Sequence, residues 1–165
     1  MSVIFKRVSV RKYEAKPVEE EKVREMIQAG CAAPSAGNQQ PWEFYIVRNQ
    51  SILEKLSKVH QYSGFVKDAD LAIVPCYRIE GLWAPQYAHI NMAACTENIL
   101  LKATELGLGC TWIGIAPEED RMKTVKEILN LPENLAPFCL IPTGYPAESR
   151  PQENRYEKNR IHLVE

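Results

Sequence analysis

The chain has 165 residues, of which 45% are hydrophobic and 25% charged, and a net charge of −1. That length suits one domain over residues 1–165, and a chain of roughly this size buries about 68–70% of its unfolded surface, enough for a core. The near-zero charge argues against nucleic acid and anionic membrane as partners, while leaving room for a local cationic pocket. No apolar run approaches the roughly 20 residues of a membrane span.

In chain order, a basic stretch, Arg7-Val8-Ser9-Val10-Arg11-Lys12-Tyr13, comes first. Pro17 and the acids Glu19, Glu20 and Glu21 predict a helix start, and Val23, Met26, Ile27 and Gly30 share one helical face. This helix should end near Ala33, before Pro34. Glu43 to Val47 reads as a strand. Ser51 predicts the cap of a short helix running to Val59. Leu71-Ala72-Ile73-Val74 reads as a buried strand. From Gln86 to Leu106 the pattern is helical, closed by Gly107. Its apolar positions (Ile90, Ala93, Ala94, Ile99, Leu100, Leu101, Ala103) spread around most of the surface, as in a buried central helix. Its small residues allow close packing on another helix, in the same or a second subunit. A strand over 111–115, an amphipathic helix over 118–129 and a strand over 138–141 follow. Residues 148–160 are polar and charged, and Ile161-His162-Leu163-Val164 turns apolar, which makes sense if the tip docks elsewhere.

The five cysteines (Cys31, Cys76, Cys95, Cys110, Cys139) are odd in number, widely spaced and without Cys-x-x-Cys. They predict reduced thiols in a cytoplasmic protein rather than disulfides or a zinc site. Cys95 and Cys139 read as core; Cys31 stands close to the Pro34 loop. The first residues carry no apolar leader before Lys6. His60, His89 and His162 lack metal-ligand spacing, so no metal is expected. Ser35 has no partner base, so no side chain is expected to act as a nucleophile.

The segment Pro34-Ser35-Ala36-Gly37-Asn38-Gln39-Gln40-Pro41-Trp42 carries the most chemistry. Ser35 and Asn38 can hydrogen-bond a ligand or their own backbone. The prolines stiffen both ends, and Gly37 lets the backbone come close to something. Gln40, Pro41 and Trp42 read as supports, Trp42 as core. Further on stand Leu106-Gly107-Leu108-Gly109-Cys110-Thr111-Trp112-Ile113-Gly114 and Ile141-Pro142-Thr143-Gly144-Tyr145-Pro146-Ala147-Glu148. Gly107 and Gly109 read as a helix C-cap and a tight turn. The glycine spacing is not a dinucleotide fingerprint.

Taken together and in this order, the four stretches resemble the nitroreductase family of flavin mononucleotide (FMN) enzymes, over nearly the whole chain. The resemblance implies an α+β fold, a mixed, mainly antiparallel sheet flanked by helices. It implies a domain-swapped homodimer with FMN at the interface and residues 148–165 as an arm wrapping the partner subunit. It further implies a ping-pong oxidoreductase passing hydride from NADH or NADPH through FMN to a small electron-poor acceptor such as a nitroaromatic or quinone. By the same resemblance Arg7 and Arg155 meet the phosphate, with Arg150 or Arg160 as alternatives to Arg155. Val8 and Ser9 line the cofactor. Arg11 lies at the N1/O2 edge of the ring, where a fixed positive charge favours reduction. Pro34, Ser35, Ala36 and Asn38 reach the cofactor from the other subunit, and Ile113 and Gly114 approach the ring. Tyr62, Phe65, Trp83 and Tyr87 read either as acceptor-stacking residues or as packing. Two alternatives stay open: an FMN carrier or sensor without nicotinamide turnover, and a reductive dehalogenase or flavin-fragmenting enzyme on the same scaffold.

Overall fold

The computed structural model describes residues 2–164. Its helices are α1 (Glu20–Cys31), α2 (Gln50–Leu56), α3 (Ala88–Glu105) and α4 (Glu119–Leu129). Its strands are β1 (Trp42–Val47), β2 (Leu71–Arg78), β3 (Gly109–Cys110), β4 (Ile113–Gly114), β5 (Leu135–Pro137) and β6 (Cys139–Gly144). The sheet order is β1-β2-β6-β3, with β4 also on β6 and β5 on β2. Every named ladder is antiparallel.

β2 is the spine of the sheet, and its seven residues Leu71 to Tyr77 are buried. Side chains alternate across a strand, so Leu71, Ile73 and Tyr77 join the core under α1 and α3, while Ala72, Val74 and Cys76 join the core under α2 and α4. The sheet is thus covered on both faces, which explains a continuous apolar run in place of alternation. Pro75 continues this strand beyond the expected Val74, because its carbonyl still accepts from Phe138 N–H at 2.9 Å.

The expected helices are present with shifted ends. α1 begins at Glu20, three residues after Pro17, and stops at Cys31. The cap of α2 is Asn49, not Ser51: the Asn49 carboxamide oxygen accepts from the N–H groups of Ser51 and Ile52, as an N-cap side chain should. Of the expected strand 111–115 only Ile113–Gly114 forms, as β4, while β3 lies just before it; Thr111 stands between the two and donates its hydroxyl to Val10 C=O at 2.6 Å. α3 is buried along Met92, Cys95, Ile99 and Ala103, but Ile90 is exposed, so the helix is less enclosed than its composition suggests.

Gly30 decides how closely α1 approaches α3. A Cβ there would lie 2.9 Å from Ile99 Cγ1 and 3.1 Å from Cys95 Sγ. Gly30→Val is therefore expected to lower stability by about 1–3 kcal/mol through overpacking, read as a shift in the urea midpoint with unchanged slope.

Gly109 is not the tight turn its sequence suggests. It lies under Val10, whose Cγ1 would be 2.6 Å from a Cβ at that position. Val10 N–H donates to Cys110 C=O at 3.1 Å, and Ser9 pairs with Cys110 as a parallel bridge. The N-terminal segment is thereby laid along the free edge of β3.

Candidate cofactor site

The extended N-terminal segment sorts its residues by the period of two. Val10 points inward and is buried. Arg7, Ser9 and Arg11 stand on the other face, and with Val8 they line a cavity of about 280 Å³. The opposite wall is the chain after β6: Arg150, Pro151, Gln152, Glu153 and Arg155. Gln152 closes the two walls together, its Nε2 donating to the carbonyls of Ile4 at 3.1 Å and Arg7 at 3.3 Å. Glu148, four residues earlier in the chain, also joins the arm to the N-terminal segment, accepting from Arg11 N–H at 2.8 Å. That bond holds the Glu148 carboxyl below the usual carboxylate range, with the Arg150 charge adding to it.

Charge in this cavity is unbalanced. Arg7 faces Glu97 at 3.5 Å and Arg150 faces Glu148 at 3.1 Å. Arg11 and Arg155 make no ion pair among the described residues. Guanidinium forks that face a cavity without a carboxylate partner suit a phosphate, which they bind through two oxygens at once. Arg160 lines neither this cavity nor the next; it pairs with Glu157 at 2.8 Å. A larger hollow of about 760 Å³ adjoins the cavity, between Ile4, Phe5, Lys6 and the same arm, and offers mostly apolar wall.

Arg11 also borders a second cleft, of about 200 Å³, with Thr111, Trp112, Ile113, Gly114, Arg121, His60, Tyr62 and Phe65. It is thus shared by a phosphate-sized cationic cavity and a cleft with aromatic and backbone walls. The Arg11 guanidinium carbon stands 5.9 Å from the Phe65 ring centre. At Gly114 a Cβ would meet nothing within 4 Å, so the strand backbone is open to a flat ligand. The sequence pointed to Ile113, Gly114, Tyr62 and Phe65 here; Thr111 and Trp112 lie in the same glycine-rich stretch but were given no role, and Arg121, on α4, and His60 carry no motif.

The Pro34–Asn38 segment stands apart from both cavities. Gly37, Asn38 and Gln40 adopt the left-handed backbone region, with φ of 57°, 52° and 43°. Several bonds hold this strain. Ser35 Oγ accepts from Gln40 N–H at 3.0 Å, Asn38 Oδ1 accepts from Gln40 Nε2 at 2.9 Å, and Asn91 Oδ1 accepts from Ala36 N–H at 3.0 Å. The Arg78 guanidinium caps the carbonyls of Gln39 and Gln40. Ser35 and Asn38 therefore shape their own loop first. The Ser35 hydroxyl proton and the Asn38 amide N–H groups remain for a ligand. Trp42 is buried as expected.

The remaining candidates are quiet. Cys76, Cys95, Cys110 and Cys139 are buried and free, and burial pushes the Cys110 thiol up to about 12. Cys31 is exposed, but partial burial of its thiol raises its pKa too. Among the described residues no group of acids, histidines and cysteines could hold a metal, and no helix is long and apolar enough to cross a membrane.

Comparison with known proteins assigns this geometry to a family. The profile described as "Nitroreductase family" matches residues 4–80 and 59–145. The chain belongs to the nitroreductase family. A relative in Methanothermobacter thermautotrophicus, provisionally described as an NADH dehydrogenase/NAD(P)H nitroreductase, is 39% identical over 99% of this chain and 85% of its own. A solved structure from Clostridium acetobutylicum, provisionally named an NADH oxidase, superposes with a TM-score of 0.95 at 41% identity, covering 99% of each chain. A Desulfovibrio desulfuricans structure, provisionally named a nitroreductase and solved in complex with FMN, has a TM-score of 0.84 at 27% identity, over 99% of this chain and 94% of its own. The expected α+β nitroreductase fold is the observed one.

Proposed function

We propose that this nitroreductase-family protein is an FMN-dependent oxidoreductase that uses NADH or NADPH to reduce electron-poor acceptors such as quinones or nitroaromatics. The observation that carries the reading is the placement of Arg7, Ser9 and Arg11 on one face, opposite Arg150 and Arg155, with Arg11 continuing into the cleft at Gly114. This donor set fits FMN: paired guanidiniums for the phosphate, a hydroxyl for the ribityl chain, and an open backbone with aromatic walls for the ring. When bound, FMN supplies two-electron chemistry between nicotinamide and acceptor.

The protein's own residues bind, orient and tune. Arg155 and Arg7 hold the phosphate, Arg7 through the terminal nitrogens of its fork, since its contact with Glu97 at 3.5 Å is made by Nε. Arg11 offers positive charge where negative charge grows on reduction. Gly114 lets the backbone approach, so a nicotinamide or an acceptor can lie flat in the same place. One shared place makes turnover ping-pong, with NAD(P)⁺ leaving before the acceptor binds. For a quinone the sum is NAD(P)H + H⁺ + quinone → NAD(P)⁺ + hydroquinone.

The Pro34–Asn38 loop has no cavity in common with the arginines of its own chain, so in this reading it serves the site of a second protomer. The apolar tip of the arm supports such a dimer: Ile161, Leu163 and Val164 are exposed, although side chains of this kind gain from burial. The test is an anaerobic visible spectrum of the purified protein with FMN, before and after NADH or NADPH. A bound-flavin spectrum that bleaches is expected. Bound flavin that stays oxidised would favour a carrier or sensor, and failure to bind flavin would remove the proposal.

A further inference from the structure

Gly37 approaches an aromatic ring. A Cβ at Gly37 would lie 2.8 Å from Trp83 Cε3, so the indole occupies the space that any other residue would need. Trp83 is nevertheless 80% exposed. The contact holds the ring upright without covering it. Its segment is also tied down: Gln39 clamps Ala84 through both amide atoms, Nε2 donating to the carbonyl at 3.0 Å and Oε1 accepting from the N–H at 2.9 Å. Two loops far apart in sequence are thus one rigid unit, and its outermost feature is a bare indole beside Ser35 and Asn38.

Large exposed aromatics are costly to leave in water, and a ring fixed by its backbone surroundings loses little further freedom when it stacks. We propose that Trp83, seated on Gly37, is the specificity-determining wall of the acceptor pocket, favouring planar aromatic acceptors by stacking on them. This rests on the two-protomer reading above. In that reading the Pro34–Asn38 loop carries Trp83 with it toward the second protomer's cleft, which Tyr62, Phe65 and Gly114 border. Of the four aromatic candidates, Tyr62 and Phe65 border the ring cleft, and Trp83 alone touches the loop glycine. Gly37 becomes a lever on selectivity that need touch no substrate.

The test compares Trp83→Ala, Trp83→Phe and Gly37→Ala with the wild type. It measures kcat/KM for menadione, a planar quinone, and for ferricyanide, a compact non-aromatic acceptor. FMN affinity, dimer content and bleaching by NAD(P)H are measured on the same samples. Trp83→Ala is expected to lower the menadione-to-ferricyanide ratio about five- to tenfold, mainly through KM, with FMN still bound. Trp83→Phe should restore most of the ratio, and Gly37→Ala should lower it by displacing the indole. An unchanged ratio overturns the proposal. So does an equal loss for both acceptors, or loss of the dimer, because Trp83 would then be packing. A wild type that neither binds FMN nor bleaches overturns the functional reading itself.

Discussion

Arg11→Ala is expected to weaken FMN binding about ten- to hundredfold while leaving the fold intact. A hydrogen bond to a charged group contributes about 1.5–3 kcal/mol, and each 1.4 kcal/mol is a factor of ten. The substitution leaves the backbone alone, so the Arg11 N–H that anchors Glu148 survives. The lost side chain had no ion-pair partner among the described residues, so no buried carboxylate is stranded and the thermal midpoint should hold. A second effect follows from the position of Arg11 between the two cavities. If it faces the part of the ring that gains negative charge and interacts with the reduced form more strongly by a further ~1.5–3 kcal/mol, its removal also lowers the reduction potential of bound FMN by about 30–65 mV, that difference spread over two electrons. Arg11→Lys keeps the charge but loses the fork, and should retain more of the potential than of the affinity. The measurements are a flavin fluorescence titration and a dye-equilibrated reductive titration.

Gly114→Val tests the other half of the site and should separate stability from binding. A Cβ at Gly114 meets nothing within 4 Å, and its φ is not in the left-handed region. The folded chain therefore accepts the side chain. The unfolded chain loses freedom, which favours folding by about 0.4–1 kcal/mol for the simpler Gly→Ala change. The new methyls, however, stand beside the cleft that the ring is proposed to fill. Forcing a ligand to give way by that much costs about 1–3 kcal/mol, or roughly five- to hundredfold in FMN affinity. Thermal melts with and without FMN check this: the apo midpoint should be unchanged or higher, and the shift on adding FMN smaller.

The fold was legible in the sequence wherever one residue type had one physical use. The helix face of Val23, Met26 and Gly30, the buried run from Leu71 and the helix closed by Gly107 all appear where the periodicity placed them. Boundaries were less legible because local signals compete. Ser51 looked like a cap, yet Asn49 accepts both orphan N–H groups. The apolar run read as a strand stopped at Val74, yet the Pro75 carbonyl still accepts from Phe138 N–H and the strand continues. Gly109 read as a turn because its true reason, the Val10 side chain above it, lies about a hundred positions away in the chain.

The site divides in the same way. Arg7, Val8, Ser9 and Arg11 were named through the family resemblance, and the structure lines one cavity with all four; alternation along the segment accounts for Arg7, Ser9 and Arg11 but not for Val8. The arm was partly legible: Arg150 and Arg155 line the cavity together and Arg160 does not, a distinction that depends on Gln152 and Glu148 pinning the arm. Gly37 announced a close approach, but nothing local could name Trp83 as its partner. Thr111 and Trp112 reach the cleft at the break between β3 and β4, and Arg121 reaches it from α4 by donating to the Gly114 carbonyl at 3.2 Å.

A flavin site assembled from two protomers is tested most directly by subunit complementation. One variant, Arg11→Glu, spoils the arginine side; the other, Ser35→Trp, spoils the loop side. Each alone should be inactive. Co-refolded in equal amounts, half of the dimers are mixed and each mixed dimer keeps one intact site, so about a quarter of the wild-type NAD(P)H-dependent activity should return. If differently tagged protomers co-purify as mixed dimers and no activity returns, the loop and the arginines do not serve one shared site.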